Sequence, residues 1–142
     1  MSRSIKLTKG LDIKLLGAAE KTITPLETKE YAVKPTDFPG IYPKLLVREG
    51  DTVKAGTPVL YDKYRESIKI VSPVSGTVTA IVRGAKRALL EVRITADAEQ
   101  EYVDFGKSDP GKMSAEEIQE KLLISGLWPS LLQRPYAIIA DP

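Results

Sequence analysis

The sequence predicts a small all-β barrel or sandwich with a minor helical part near its C-terminal end. Between Pro43 and Ile94, short runs rich in β-branched residues alternate with turn signals. Those signals are Glu-Gly-Asp at 49–51, Ala-Gly-Thr-Pro at 55–58 and Pro-Val-Ser-Gly at 73–76. Glycine supplies positive φ and proline fixes φ at a turn corner, so each signal has a mechanism. The runs are too short and too closely spaced to leave room for helices between them.

The composition argues against several classes of function. The 142 residues include no Cys and no His, and the net charge is +2. Without Cys there is no disulfide, thiolate catalysis or iron–sulfur ligation, and without His the commonest general base and metal ligand is missing. The small net charge argues against nucleic acid as a partner. We therefore predict no catalytic, cofactor-binding or metal-binding residue within 1–142.

No segment of the sequence predicts insertion into a membrane. The apolar stretch from Leu11 to Ala19 is interrupted by Asp12 and Lys14, and Glu20 follows it. It is too short and too charged for a signal peptide or a membrane span. We therefore expect a soluble protein whose membrane contact, where it has any, runs through a partner.

The first two regions of the chain are an N-terminal arm and a barrel. Residues 1–42 are predicted to form a strand and a Pro-rich arm packed on the barrel, and residues 43–105 the barrel core. Core strands are predicted at 45–48, 52–54, 58–62, 68–71, 76–83 and 87–95, with a further strand at 29–33 and a strand or strap at 102–105. In the last core strand Leu90, Val92 and Ile94 alternate with polar residues, which predicts that these three share a buried face.

Phe38, Ile41 and Tyr42 lie within the Pro-rich arm. Apolar side chains in a loop usually attach that loop to the core, so we expect these three to pack on the barrel. A surface for a partner is the alternative interpretation.

Residues 106–142 are predicted to hold a linker, a helix over 114–125 and the start of a further domain. Ser114 and Glu117 have the spacing of a capping box, in which each side chain binds the other residue's backbone N–H. Gly126 supplies the left-handed residue that commonly ends a helix. This is the most clearly marked helix of the chain.

A second, shorter helical piece is expected between Pro129 and Pro135, so that the C-terminal part forms a helical hairpin. Trp128 is expected to fold this hairpin onto a core. The chain then ends in an apolar, strand-like run, which predicts a piece of a longer protein.

The pattern Gly-Asp-x-Val-x-x-Gly at 50–56, followed by Pro-x-x-Gly-x-Val at 73–78, resembles the biotinyl/lipoyl-type barrel-sandwich hybrid. The resemblance implies a fold but no single function. A biotin or lipoyl carrier would need a modified lysine at the hairpin tip between the two blocks, and Lys63 follows Asp62 as such a lysine would. However, the tip is expected at 64–67, and the small residues that usually follow a carrier lysine are missing. A carrier with a modified Lys63 is therefore the alternative.

A more specific set of motifs runs along the whole chain. These motifs are Lys9 to Ile13, Leu16 to Ala18, Pro43 to Val53, Ser72 to Ile81, Arg83 to Arg87, Ser125 to Leu131 and Arg134 to Tyr136. With them the chain resembles the N-terminal region of the A subunit of the sodium-translocating NADH:quinone reductase. The last two motifs are the most diagnostic because the barrel does not require them. The C subunit of the related ion-translocating ferredoxin:NAD electron-transport complex is the second family that the barrel resembles.

The first of these resemblances implies a non-redox scaffold and docking part of a complex that oxidises NADH, reduces quinone and exports sodium. It implies a peripheral position on the cytoplasmic face of the bacterial inner membrane. The implied partners are the other subunits of the six-subunit pump, above all a membrane subunit, with quinone as a further candidate. Flavins and iron–sulfur centres are implied to lie in other subunits.

Six residues are candidates for partner contact: Arg83, Lys86, Arg87, Trp128, Arg134 and Tyr136. The basic hairpin at 83–87 would suit an acidic partner surface or lipid headgroups, although a solvated turn that keeps a sheet edge soluble is the simpler interpretation. The other three would line a surface that meets the next domain, while packing within the C-terminal core also explains Trp128.

Overall fold

A computed structural model describes residues 6, 8, 10, 16–25 and 28–142 of the chain. The sequence also predicts an edge strand within 5–13, and most of that segment lies outside the described residues. The elements are β1 (Glu30–Val33), β2 (Pro43–Leu45), β3 (Thr52–Val53), β4 (Pro58–Asp62), β5 (Arg65–Val71), β6 (Gly76–Arg83), β7 (Leu89–Ala96), α1 (Ala115–Ile124), β8 (Leu132–Gln133) and β9 (Ile138–Ile139).

Two antiparallel sheets enclose the core. One has the strand order β1-β7-β6-β3 and the other β2-β4-β5. The predicted strands at 58–62 and 76–83 are confirmed residue for residue, and the other core strands within a few positions. The predicted strap at 102–105 contributes one parallel bridge between Ala55 and Tyr102.

The core fills the space between these sheets with aliphatic side chains. Leu60, Val78, Val92 and Ile94 are fully buried and belong to one contiguous cluster. Each buried side chain of this size contributes about 1.5–3 kcal/mol relative to an exposed one. This cluster is what holds the two sheets together.

The predicted burial of Leu90 is wrong. Val92 and Ile94 are buried as expected, but Leu90 remains 40% exposed. Val82 pairs with Glu91 and Arg83 with Leu89, so Leu90 is an extra residue in a bulge of β7. Because side chains alternate along a strand, one extra residue reverses which side chain faces inward. Leu89 packs against the core in its place.

Gly76 is required by the close approach of β6 and β7. A Cβ built at this position would lie 2.0 Å from the backbone oxygen of Thr95. The two backbones therefore meet at a distance that no side chain permits. The turn signal at 73–76 has a second role in packing that the sequence alone did not indicate.

The Pro-rich arm packs on the barrel through two of its three apolar residues. Phe38 and Ile41 are partly buried against the core cluster, as predicted. Tyr42 is 59% exposed instead, and its ring meets that of Tyr64 edge-on with centroids 4.7 Å apart. The arm begins with a 3₁₀ turn at Pro35–Asp37.

Helix α1 confirms the predicted capping box. The Ser114 hydroxyl accepts the Glu117 N–H at 3.2 Å, and the Glu117 carboxylate accepts the Ser114 N–H at 2.8 Å. Gly126 follows the helix with φ of 71° and sits against Val71 of β5, where a Cβ would lie 2.5 Å from Cγ1. The helix is thereby seated on the barrel.

The predicted C-terminal helical hairpin is not confirmed. In the part of the chain that the structure describes, α1 is the one α-helix, and it is followed by a 3₁₀ turn at Trp128–Ser130 and the β8–β9 ribbon. Pro129 and Pro135 stand too close together for a helix between them, because the residue before a proline disfavours helical backbone angles. The intervening chain becomes extended and pairs with the run that the sequence showed as strand-like.

Candidate functional site

The β6–β7 hairpin carries three cations on one tight turn. A 3₁₀ turn at Ala85–Arg87 joins the strands, and Lys86 and Arg87 adopt positive φ of 54° and 60°. Arg83 Nη1 donates to the carbonyl oxygen of Arg87 at 3.2 Å. Side chains with Cβ seldom adopt this backbone region, so the surrounding hairpin must hold the turn in place. The basic segment predicted as a hairpin therefore forms the turn between β6 and β7.

These cations have no carboxylate partner among the described residues. Arg83, Lys86 and Arg87 are all exposed, and no described Asp or Glu lies within ion-pair distance of them. By contrast, Lys34 and Arg93 both pair with Glu91 of β7. The positive charge of the hairpin is thus available to an external group.

A groove of about 670 Å³ runs between this hairpin and the Pro-rich arm. Phe38, Ile41, Leu45 and Leu89 supply apolar walls, and Lys44, Arg83 and Arg87 supply cations. The combination of apolar walls and cations matches a ligand that is both apolar and negatively charged.

The other three candidate residues lie on the C-terminal part. The indole of Trp128 is half-buried and donates to the carbonyl oxygen of Ala140 at 2.9 Å, which ties the ribbon to the 3₁₀ turn. Arg134 and Tyr136 lie in the exposed β8–β9 connection, and Tyr136 is 82% exposed. Trp128 therefore packs within the C-terminal part, while the other two face outward.

The β4–β5 hairpin tip is the second place where charged residues gather. Its two turn residues are Lys63 and Tyr64, between the paired residues Asp62 and Arg65. The expectation that the tip lies at 64–67 is wrong, because the strands pair up to Asp62 and leave a two-residue turn. Lys63 is exposed at the tip, but its N–H donates to the carbonyl oxygen of Tyr42 at 2.8 Å. The turn is held by the arm.

Sequence reasoning missed a buried ion pair beneath this tip. Asp62 is 2% exposed, accepts the N–H groups of Tyr42 and Tyr64, and binds Arg65 Nε at 2.8 Å. Arg65 reaches on to Asp141 at 3.0 Å. The one local signal was an Asp-x-x-Arg spacing around a two-residue turn.

The Arg65 guanidinium also binds the carbonyl oxygens of Gly40 and Ile139. Burial by itself lowers its pKa, but the hydrogen bonds and charges of Asp62 and Asp141 outweigh burial and raise that pKa above its ordinary value. A single side chain thereby joins the arm, the barrel and the C-terminal ribbon.

Two features of the described part of the chain bear on metal binding and membrane insertion: the grouping of its metal-ligating side chains and the length of its helices. No three side chains of Asp, Glu, His or Cys come together there as a metal site would need. None of the helices in that part is long and apolar enough to cross a membrane.

The architecture defines the class of protein: a two-sheet barrel-sandwich hybrid that carries a C-terminal extension. Comparison with known families agrees, because the profile of the NqrA N-terminal barrel-sandwich hybrid domain matches residues 5–97. The chain belongs to this family.

Curated relatives share most of this chain. It is 37% identical over 136 residues to the A subunit of the Na(+)-translocating NADH-quinone reductase of Histophilus somni, covering 94% of this chain and 30% of the relative. The corresponding proteins of Actinobacillus succinogenes and Pseudomonas aeruginosa are 39% and 36% identical over 137 and 141 residues, covering 94% and 97% of this chain. Of those two relatives the matched parts are 31% and 32%. The chain therefore spans about a third of the length of these relatives.

Proposed function

We propose that this chain is a non-redox scaffold and docking part of the A subunit of a sodium-pumping NADH:quinone oxidoreductase. In this role it supports electron transfer from NADH to quinone coupled to sodium export. It carries no cofactor of its own, and the flavins and iron–sulfur centres lie in other subunits. Family membership supports the assignment, since the relatives named above carry the name of that subunit.

The proposed place of the chain is at the cytoplasmic face of the bacterial inner membrane, attached to a membrane subunit. The observation that carries the docking role is the β6–β7 hairpin, whose three cations have no carboxylate partner among the described residues. Cations left exposed in this way attract an oppositely charged surface and guide its approach. The simpler interpretation, a turn that only keeps an edge soluble, does not account for the apolar groove beside it.

The test places Arg83→Glu, Lys86→Glu and Arg87→Glu together in the intact subunit and measures its co-purification with the membrane subunits. We expect co-purification to fall at least tenfold with the circular dichroism spectrum unchanged. A matched control reverses three exposed lysines elsewhere, by Lys6→Glu, Lys21→Glu and Lys29→Glu, and should assemble normally. Normal assembly of the hairpin variant would remove this site.

We also propose that the exposed face of the C-terminal part meets the domain that follows in the relatives. Arg134 and Tyr136 face outward there, and Leu127 and Leu132 are 57% and 48% exposed. Large apolar side chains left exposed in one part of the chain favour contact with a partner surface. In the longer protein, Tyr136→Ser should increase binding of a hydrophobic dye, whereas Tyr102→Ser on the barrel should not.

We also propose that this chain contributes a binding site for quinone. The groove between α1 and residues 105–110 has a mainly apolar lining, with Phe105, Met113 and Leu122 among its members. A quinone needs an apolar slot with a few polar anchors. A photoreactive quinone should label this groove in the assembled complex, and labelling elsewhere on the subunit would exclude it.

The carrier alternative is not our proposal, although Lys63 does stand at the hairpin tip. Its backbone is bonded to the arm, and the bulky Tyr64 and Arg65 follow it. The Lys63 ammonium lies 5.1 Å from the centre of the Tyr64 ring. An unchanged mass after co-expression with biotin and lipoate ligases is the expected result, and a mass increase at Lys63 would reverse this choice.

A further inference from the structure

We propose that the groove between the Pro-rich arm and the β6–β7 hairpin binds an extended, acidic and partly apolar segment of another polypeptide. This inference deepens the proposed docking function and rests on it for the source of the segment. Three independent features of the groove carry it: its charge, its apolar walls and the strand beside it.

All the charged side chains that line the groove are positive. Lys44, Arg83 and Arg87 line it, all three are exposed, and none pairs with a carboxylate of a described residue. Two of the three are arginines, whose planar guanidinium forms paired hydrogen bonds with a carboxylate. No carboxylate is among the described residues that line the groove. An acidic occupant would therefore meet cations without a competing negative charge.

The walls of the groove are apolar, which selects against a purely electrostatic occupant. Phe38, Ile41, Leu45 and Leu89 contribute to them, and each also packs against the barrel core. These side chains are thus fixed in place before anything binds. Segments with apolar side chains between acidic ones would bury those side chains here while their carboxylates reach the cations at the rim.

The strand that borders the groove has an unpaired edge. Among the described strands, β2 is the outer one of its sheet and pairs only with β4. The Leu46 N–H donates to the Val59 carbonyl oxygen, and the Lys63 N–H donates to the Tyr42 carbonyl oxygen. In an antiparallel pair every second residue bonds to the partner strand, so Tyr42, Lys44 and Leu46 face β4. The N–H and C=O of Leu45 therefore point away from β4. No backbone group of a described residue bonds to them. An extended chain can therefore add to β2 as a further strand.

A lipid surface fits the same site less well. The tip of the hairpin holds Ala85 and Lys86 and no aromatic side chain, so it offers nothing to insert at a membrane interface. The apolar walls lie inside a groove instead, where a side chain reaches them and a flat bilayer does not. We therefore treat anionic vesicles as an arm of the test.

The test measures fluorescence anisotropy of a labelled eight-residue peptide of alternating Glu and Val against this chain. The Glu/Val peptide should bind, a Glu/Ser peptide should bind at least tenfold more weakly, and a Lys/Val peptide should show no binding. The variant with Arg83→Glu and Arg87→Glu should lose at least tenfold in affinity. The control with Lys29→Glu and Lys107→Glu should bind like the unchanged chain.

Several results would overturn the inference. Equal binding of the Glu/Val and Glu/Ser peptides would show a charge effect without the groove, and equal binding by both variants would place the peptide elsewhere. Binding to vesicles of one part phosphatidylserine to three parts phosphatidylcholine, with no peptide binding, would assign the surface to a membrane. Sedimentation showing that the chain self-associates through this face would assign it to a second copy.

The experiments distinguish a failure of the acidic-segment proposal from a failure of the docking proposal. If the peptide does not bind but the hairpin variant still loses co-purification with the membrane subunits, the acidic segment is excluded and the docking function stands. If the peptide binds with the expected pattern but co-purification is unaffected, the groove is real and the proposed docking at the hairpin is wrong.

Discussion

The two charged hairpins of the barrel use arginine in opposite ways. At the β4–β5 tip, Arg65 is bound by the buried Asp62, by Asp141 and by two carbonyl oxygens. At the β6–β7 tip, Arg83 and Arg87 reach no carboxylate of a described residue. The first arrangement stabilises the fold, and the second leaves charge at the surface. Charge on a hairpin therefore indicates a docking site only where the structure leaves it unpaired.

The largest expected effect comes from breaking the paired hairpin. Asp62→Ala should lower the free energy of unfolding by about 2–4 kcal/mol, because the N–H groups of Tyr42 and Tyr64 lose their acceptor and Arg65 loses its buried carboxylate. Urea denaturation measures the change. Asp37→Ala, at an exposed carboxylate with no hydrogen bond to a described residue, is the control. A loss no larger than that of the control would contradict the role given to Asp62.

A substitution at the base of the β6–β7 hairpin is expected to lower the stability of the fold, whereas substitutions at its tip are not. Gly76→Ala should cost about 1–3 kcal/mol, because the added methyl group would force the backbones of β6 and β7 apart. Gly111→Ala is the matched control, since its Cβ would have ordinary contacts. Thermal unfolding followed by circular dichroism would measure both. Equal melting temperatures would mean that the strands separate without cost.

A smaller effect is expected at the exposed partner of Arg65. Asp141 is 82% exposed, so Asp141→Ala should cost only about 0.2–1 kcal/mol. The same urea measurement in about 1 M NaCl should remove most of this difference, because salt screens exposed pairs more than buried ones. The Asp62→Ala difference should persist in that salt. A salt-independent loss at Asp141 would show that its carboxylate is more than a surface partner.

The smallest effect on stability is expected at the unpaired hairpin. Arg83→Gln and Arg87→Gln should each change the free energy of unfolding by no more than about 0.5 kcal/mol, because neither removes an ion pair with a described carboxylate. Both should weaken binding of the Glu/Val peptide. A stability loss comparable to that of Asp62→Ala would place these arginines in the fold and not at an interface.

Features that depend on a few neighbouring residues could be predicted from the sequence. Ser114 and Glu117 lie three positions apart and cap α1 as expected, since capping needs only one turn of chain. The turn signals around Gly50, Gly56 and Gly76 likewise marked the strand ends. The basic hairpin was recognised for the same reason.

Features that depend on distant partners could not be predicted. Arg65 and Asp141 are separated by 76 positions, and nothing near either residue indicates the other. The burial of Leu89 in place of Leu90 depends on a bulge that only the pairing with β6 defines. The C-terminal ribbon stands where a helical piece was expected, because Leu132 pairs with Ile139 in an antiparallel ladder.

By itself, the sequence determined the barrel, its turns, the capped helix and the motifs that mark the family. These follow from local backbone preferences and from the alternation of apolar residues. Only the tertiary structure decided which cations are neutralised, because an ion pair depends on a distance of a few ångströms between residues far apart in the chain. Arg65 lies within that distance of two carboxylates and stabilises the fold. Arg83 and Arg87 lie within that distance of no described carboxylate, and we propose that they bind a partner.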